Sequence, residues 1–335
     1  MPEIKLLSKS GLNSKFKECG ISKSVLKRIL PEWWDDSVLS TTAGFLEFSQ
    51  ILKNRLGLVT TISDDGDISF SQPTFNLQYK KRLNTDVSSL SDATLVCRAA
   101  SRTIQRVLNL NNVTQNLTEL ASSLSSENDL SFERALQLIW SHGIPVLYIS
   151  KFPSGVTKPT GLVSCEENRF AIILSHKNKS PAMQLFVLLH EVGHIMRNHL
   201  TGDGLITDVT MSELGDSLRP EQDQQEIEAD DYAIGLLRRG FDIVKDLGVL
   251  GTIRVCSDLV LRADYCYRKF GVNPGHYILS YARINNDWPM AINALKFIEQ
   301  DNALDTLKAT FRLQTSSLIM SNDDRDFLSD IQELN

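Results

Sequence analysis

The chain has 335 residues, 42% of them hydrophobic and 23% charged, so it is long enough for an enzyme-sized core beside further units. Its formal net charge of -6 argues against a surface built for nucleic acid or an anionic membrane, and no apolar run reaches the roughly 18 residues of a membrane span. Its five cysteines form no CxxC pair and its first residues form no secretory signal, so we expect a cytoplasmic protein without a disulfide framework.

Residues 1–84 are predicted to form a small N-terminal region that is mostly helical. Helices are predicted over residues 25–30, with a serine before them as N-cap, and over residues 44–56. Residues 59–70 contain two short strand-like runs around an Asp-Asp-Gly-Asp turn, which is typical of a β-hairpin. The polar residues 71–86 are predicted to be a linker.

Two further helical regions are predicted on either side of a central domain. Residues 85–129 form a spacer, with a helix over residues 88–109 and a boundary rich in Ser, Asn and Thr over residues 111–129. Residues 286–335 form a C-terminal helical region. The overall prediction is an α+β chain that is mostly helical.

The central domain, residues 130–285, begins with a predicted helix over residues 131–141. Three short, mostly apolar strands follow, over residues 144–149, 161–165 and 170–175, with a polar turn between the last two. We expect the last of these strands to lie at the edge of the sheet, where a substrate peptide could add as a further strand.

Two helices follow those strands. The first is predicted over residues 181–199, because Ser180 can cap it and Pro181 suits the first helical position. A polar loop is predicted over residues 201–219. The second helix is predicted over residues 220–239, since it begins with proline and acidic residues and ends in arginines before a glycine.

The first of these helices carries the pattern HExxH. His190 and His194 are four residues apart, so they project from one face of the helix and can bind one zinc ion. Glu191 lies about 100° around the helix, where it can take a proton from a zinc-bound water. The residues before His190 are apolar nearly all round, which indicates a buried helix in which these polar groups must be paired or bound to metal. Gly193 in the middle of this helix predicts a close approach to a neighbouring strand.

The second helix offers the third protein ligand that a catalytic zinc requires. Glu226 shares the inward face of the helical wheel with Ala229 and Asp230, whereas Glu228 lies about 200° away and is predicted to face solvent. We therefore predict Glu226 as the ligand. Asp230, one turn later, is predicted to accept the other ring N–H of a ligand histidine and so to fix its orientation.

Other polar side chains give weaker indications. His176 ends a strand and could touch the substrate, although a histidine at the end of a strand is more often exposed. His142 and His199 flank helices and are predicted to be solvated. His276 could reach the site from the C-terminal part, and Tyr232 could donate a hydrogen bond near the metal, but core packing is the stronger expectation for Tyr232.

These motifs resemble the ImmA/IrrE family of zinc metallopeptidases over about residues 130–285. The resemblance rests on the letters GIPV at 143–146, IIL at 172–174, HEVGH at 190–194 and EIEADDYA at 226–233. It implies a thermolysin-like zincin core, with the active-site helix under a small sheet. It also implies site-specific cleavage of a DNA-binding repressor, often encoded nearby, in phage, mobile-element or stress circuits. The sequence departs from the family in the long polar connection between the two helices, and the tail after residue 286 matches no family motif.

Residues 16–30 are similar to the turn and second helix of a helix-turn-helix, a domain sometimes fused to such peptidases. The acidic Glu32, Asp35 and Asp36 would oppose a DNA phosphate, so a version that docks a protein is favoured over one that binds DNA. Trp33 and Trp34 could anchor such a partner, or both could pack inside the N-terminal region.

The functional prediction is a zinc endopeptidase, with Glu191 as the base, that cuts a specific partner protein such as a repressor or an antitoxin. A toxin of a toxin–antitoxin pair would use the same chemistry. The alternative is a DNA-binding regulator in which the zinc domain is a sensor or a scaffold. An intact Glu191 favours the peptidase, because a structural zinc needs no base.

Overall fold

The structure, a computed structural model, describes residues 9–32, 34–65, 67–71, 76–80, 87–208, 224–250 and 253–334. Among these residues lie fourteen α-helices: α1 (Lys9–Glu18), α2 (Lys23–Ile29), α3 (Thr42–Leu56), α4 (Val87–Leu110), α5 (Leu117–Ser126), α6 (Phe132–Ser141), α7 (Pro181–Met196), α8 (Gln224–Arg238), α9 (Ile243–Leu250), α10 (Cys256–Phe270), α11 (Pro274–Asn285), α12 (Trp288–Ile298), α13 (Ala303–Thr315) and α14 (Asn322–Gln332). The strands are β1 (Val59–Ile62), β2 (Ile68–Ser71), β3 (Asn76–Lys80), β4 (Val146–Tyr148), β5 (Gly161–Glu166), β6 (Arg169–Leu174) and β7 (Gly204–Asp208). The predicted α+β, mostly helical fold class is confirmed.

The strands form two sheets. β1 and β2 make the predicted antiparallel hairpin, in which Ile62 aligns with Ile68. The other five strands form a mixed sheet in the order β3-β7-β5-β6-β4. In it β5 runs antiparallel to both of its neighbours, while β3 is parallel to β7 and β4 is parallel to β6.

The central strand β5 is buried along its whole length, because helices cover both faces of the sheet. On one face Arg98 of α4 donates to the carboxylate of Glu166 at 2.9 Å. On the other face Gly161 lies directly against the side chain of Glu191, which α7 carries. The sheet thus separates α4 from the helix with the HExxH pattern.

Two strands of the large sheet were not predicted. β3 lies within residues 71–86, predicted to be a linker, and β7 lies within residues 201–219, predicted to be a loop, so both predictions are wrong for these strands. The two strands pair with each other, Asn76 with Gly204, across more than a hundred residues of chain. Most of the remainder of both segments lies outside the described residues. The predicted polar boundary at residues 111–129 also contains a helix, α5.

The prediction that residues 170–175 form a sheet edge is wrong, because β6 lies between β5 and β4. The edge strand on that side is β4, and the C-terminal helix covers it. The backbone N–H of Tyr148 donates to Gln332 Oε1 at 3.2 Å, and that of Ser150 donates to the carbonyl of Ile331 at 3.2 Å. A substrate peptide therefore cannot add as a strand at β6.

The N-terminal helices share one hydrophobic core with the rest of the described chain. Ser22 caps α2 as expected, and Val25 and Ile29 of that helix are buried. Trp34 is half-buried with its ring centroid 5.1 Å from that of Phe48, which favours the packing alternative for this tryptophan. Trp33 lies outside the described residues. The division into four domains remains a prediction.

Within the described ranges, the helices all fall short of the length and apolar character needed to cross a membrane.

Candidate metal centre

The helix α7 begins as the sequence predicts and is buried for most of its length. Ser180 Oγ accepts from the backbone N–H of Met183 at 3.3 Å, and Pro181 occupies the first turn. A second cap comes from the C-terminal region, since Glu299 Oε1 accepts from the N–H of Ala182 at 2.8 Å. Residues beyond position 286 thus hold the start of the helix that carries His190.

Gly193 allows α7 to approach α8 closely. A Cβ at this position would lie 2.8 Å from the carbonyl oxygen and 2.9 Å from the Cα of Ala229. The predicted close approach is present, but the neighbour is a helix and not a strand. This contact brings Glu226 and Asp230, on the same face of α8 as Ala229, against the face of α7 that carries His190.

Gly193→Ala is expected to destabilise the fold by about 1–3 kcal/mol, because the methyl group would force the two backbones apart. Gly235→Ala is the matched control, since it lies in α8 with no atom within 4 Å of its missing Cβ. There alanine is expected to stabilise by about 0.5–1 kcal/mol through helix propensity. The test compares the free energy of unfolding of each variant with that of the wild type. Equal changes at both positions would contradict the close contact between α7 and α8.

Four side chains from three elements converge on one point: His190, His194, Asp208 and Glu226. The Nε2 atoms of the two histidines are 3.1 Å apart. Asp208 Oδ2 lies 2.9 Å from His190 Nε2 and 3.7 Å from His194 Nε2. Glu226 offers one oxygen at 3.6 Å from His190 Nε2 and the other at 3.4 Å from His194 Nε2.

These separations are compatible with one metal ion. Metal–ligand bonds of about 2.0–2.1 Å place neighbouring ligand atoms of a tetrahedron about 3.3–3.4 Å apart, and the distances of 2.9 and 3.7 Å from Asp208 to the two histidines lie on either side of that value. One ligand atom from each of the four side chains lies within 4.8 Å of the others. Two imidazoles and two carboxylates are also ligands that zinc accepts. The cluster can therefore hold a metal ion.

Asp208 is the member of this cluster that the sequence analysis missed. It is the last residue of β7, and it pairs with Gly161 of β5. Directly paired residues in a sheet share a face, so Asp208 points to the same side as Gly161, where α7 lies. Its position follows from the strand register, which no local pattern in the predicted loop revealed.

Glu191 is completely buried beside this cluster. Its side chain packs on Gly161 so closely that a Cβ there would overlap Glu191 Oε1. Burial, together with the negative charges of Asp208 and Glu226, raises the pKa of Glu191 well above its ordinary value. A carboxyl group so placed is basic enough to accept a proton.

His190 is held from its second ring nitrogen. Its Nδ1 lies 2.8 Å from Asp230 Oδ1, which is the contact that the sequence analysis expects of Asp230. Burial alone lowers the pKa of His190, but Asp208 and the hydrogen bonds to Asp208, Asp230 and Glu226 raise it well above its ordinary value. The carboxylate fixes the orientation in which Nε2 faces the cluster.

His194 is held in a similar way by His199. The Nδ1 atoms of the two rings are 2.8 Å apart, and His199 Nε2 lies 3.0 Å from Glu228 Oε2. The prediction that His199 is solvated is therefore wrong, because it is buried between His194 and α8. Glu228, which was predicted to face solvent, is half-buried with 42% of its side chain exposed, and it ends this chain of contacts.

The other candidate side chains lie outside the cluster. His276 is buried, stacks on Phe186 and accepts from Arg238 Nε at 3.0 Å. His142 is half-buried and its Nδ1 lies 2.7 Å from the carbonyl of Leu138. His176 is half-buried, and burial lowers its pKa. Burial raises the pKa of Tyr232 to about 12, and this residue packs on the core as expected.

His276 should make the stability of the fold depend on pH. Burial, with the positive charges of Arg238 and Arg283, lowers the pKa of His276 to about 3. Below the unfolded value of about 6.5 the unfolded chain binds a proton that the folded His276 does not, so stability falls as pH falls. The expected loss from this residue is about 2 kcal/mol between pH 7 and pH 5.

His276→Gln keeps an acceptor for Arg238 but cannot be protonated, so the difference in unfolding free energy between it and the wild type should shrink at pH 5. A pH dependence that is the same in the wild type and in His276→Gln would contradict the assignment.

No protein-family model matches the chain, and no curated protein matches it either. The functional interpretation therefore depends on the geometry of the centre.

Proposed function

We propose that the chain is a zinc-dependent endopeptidase of the ImmA/IrrE type, with a thermolysin-like zincin core. The observation that carries this proposal is the convergence of His190 and His194 with Glu226, beside the buried carboxyl group of Glu191. A metal ion that only stabilises the structure would not need a buried carboxyl group such as that of Glu191 beside its ligands.

His190, His194 and Glu226 would hold the metal in this proposal. Zinc, when bound, lowers the pKa of a coordinated water and polarises the carbonyl of the scissile peptide bond. Glu191 would accept a proton from the attacking water, whose oxygen would bond to the scissile carbonyl carbon as the carbon–nitrogen bond breaks, and would deliver that proton to the leaving amine. Asp230 and His199 keep the two imidazoles oriented, so that their Nε2 atoms point to the same place.

The proposed substrate is a specific partner protein, a repressor or an antitoxin, cut in an exposed extended segment within the cytoplasm. The burial of the centre supports a selective enzyme, because Glu191 and His194 have no exposed surface. Solvent reaches the cluster at α8, where the side chain of Glu226 is 23% exposed and that of Asp230 is 28% exposed. We infer that a substrate segment approaches from this side.

The test is to incubate the full-length zinc-loaded protein with the products of neighbouring genes and with unstructured casein. We expect one cut in one partner and slow cleavage of casein, with Glu191→Gln as the inactive control. Deleting residues 1–84 is not a suitable control, because it would remove β3 from the central sheet. Rapid digestion of casein would contradict the proposed selectivity, and equal cleavage by Glu191→Gln would contradict the mechanism.

A second candidate is a DNA-binding regulator in which the metal centre is a sensor or a scaffold. The four potential ligands favour the scaffold role of the metal in this candidate, because a site with four protein ligands is typical of structural zinc. Salt-dependent binding to duplex DNA, together with zinc that no small ligand can reach, would support this candidate over the peptidase.

A further inference from the structure

Asp208 lies where a fourth metal ligand would lie. Its Oδ2 is 2.9 Å from His190 Nε2 and 3.7 Å from His194 Nε2, close to the edge length of a tetrahedral zinc site of about 3.3–3.4 Å. The other three vertices are His190, His194 and Glu226. A catalytic zinc keeps its fourth position open for water or substrate, so Asp208 and a hydrolytic water would compete for one position.

The backbone of Asp208 is fixed by the sheet. The N–H of Thr160 donates to the carbonyl of Asp208 at 2.7 Å, and Asp208 pairs with Gly161 on one side and with Lys80 on the other. Its carboxylate is one methylene from this backbone, so rotation about the Cα–Cβ bond is the movement that would take it away from the metal. Closing and opening the fourth position therefore require no change in the sheet.

The burial of Glu191 beside the cluster favours Asp208 as a displaceable ligand over Asp208 as a permanent one. It is fully buried beside the cluster and is not itself one of the four converging ligands. In a permanent four-ligand site this buried carboxyl group would have a desolvation cost and no role. If Asp208 leaves, a water at the vacated position becomes the group on which Glu191 acts.

We propose that Asp208 is a displaceable fourth ligand that holds the metal centre closed until a substrate carbonyl or another oxygen ligand replaces it. This inference rests on the proposed function, since it concerns the position at which that function places the hydrolytic water. It assigns the described structure to a closed state of the enzyme.

The test measures access to the metal without any substrate. The full-length protein is loaded with Co²⁺, and binding of acetohydroxamate, a small ligand for catalytic metals, is followed through the visible spectrum of the cobalt. Wild type is compared with Asp208→Asn, which preserves the shape of the side chain, and with Asp208→Ala. Asp231→Ala is the matched control, because this exposed carboxylate of α8 lies outside the cluster.

We expect both Asp208 variants to keep one Co²⁺ per chain and to bind acetohydroxamate at least about tenfold more tightly than the wild type, because no carboxylate must first be displaced. Asp231→Ala should behave as the wild type. The cobalt spectrum before the ligand is added should also differ between the Asp208 variants and the wild type.

Two results would overturn the inference. Equal acetohydroxamate affinity in all four proteins would show that Asp208 does not cover the metal, and loss of Co²⁺ from both Asp208 variants would show that it is a permanent ligand. Equal acetohydroxamate affinity or an unchanged cobalt spectrum would leave the proposed peptidase function standing. That function is tested separately, and activity of Glu191→Gln would contradict it. Absence of Co²⁺ binding by the wild type would overturn both.

Discussion

Glu191→Gln is expected to lower the rate of peptide-bond hydrolysis by at least about 10²–10⁴-fold while the metal and the fold are retained. Glutamine has nearly the same shape as glutamate but cannot accept the proton of a metal-bound water. Glu191 packs against Gly161, so a change in the size of this side chain would disturb the sheet. Glutamine keeps that size, and a lower rate would therefore result from the loss of the carboxylate. The measurement is single-site cleavage of the partner protein by equal concentrations of wild type and variant.

The control for this prediction is Glu228→Gln, an equally conservative change of a carboxylate that contacts His199 and not the cluster. It should retain most of the activity. Zinc content and the unfolding midpoint of both variants should match those of the wild type. Cleavage by Glu191→Gln at a rate near that of the wild type would show that another group is the base.

Alanine at His190, His194 or Glu226 is expected to lower the affinity for zinc by more than about 100-fold in each case, because loss of a ligand costs more than loss of a residue that orients one. The three residues come from two helices that Gly193 brings together, so a metal ion bound at this centre would depend on all of them. Zinc affinity is measured by competition with a chromophoric chelator, and zinc content after dialysis gives a second reading.

The choice between the two glutamates of α8 is tested by Glu226→Gln and Glu228→Gln as a matched pair. Glu226 oxygens lie 3.4 and 3.6 Å from the two histidine Nε2 atoms, whereas Glu228 contacts His199 and Gln224. We expect strong loss of zinc in the first variant and a change of less than about tenfold in the second. The opposite order would show that Glu228 is the ligand.

The sequence predicted the features of the centre that depend on a single helix. Ser180 and Pro181 marked the start of α7, the four-residue spacing placed His190 and His194 on one face, and the helical wheel separated Glu226 from Glu228. Each of these follows from the period of the helix and from the chemistry of its first turn. The contact of Asp230 with His190 was also expected from one turn of the same wheel.

The features that depend on strand pairing could not be predicted from local patterns. β7 is five residues long, is buried along its whole length and follows Gly202 and Asp203, residues that are typical of loops, so no strand period marked it in the sequence. Its partner β3 lies in a polar segment far away in the chain. Without these two strands, Asp208 had no assigned face, and the order that places β6 inside the sheet was unknown.

Contacts between segments that are far apart in the sequence account for the remaining differences between the predicted and the observed structure. Glu299 caps α7 and Gln332 covers the edge of β4, although neither residue lies in a recognisable motif. His199 looked exposed because it follows the end of a helix, but the chain turns back there and buries it against His194. Such contacts are decided by the tertiary fold, and propensity and periodicity do not report them.

Zinc-edge X-ray absorption of the zinc-loaded full-length protein measures the ligand set most directly. We expect a first shell of nitrogen and oxygen atoms at about 2.0–2.1 Å, with the outer-shell scattering of two imidazoles. The same spectrum should lose one imidazole's contribution in His194→Ala to the extent that the variant still holds zinc. A sulfur shell at about 2.3 Å, or a first shell without imidazole, would place the metal elsewhere in the chain and contradict a peptidase centred on His190 and His194.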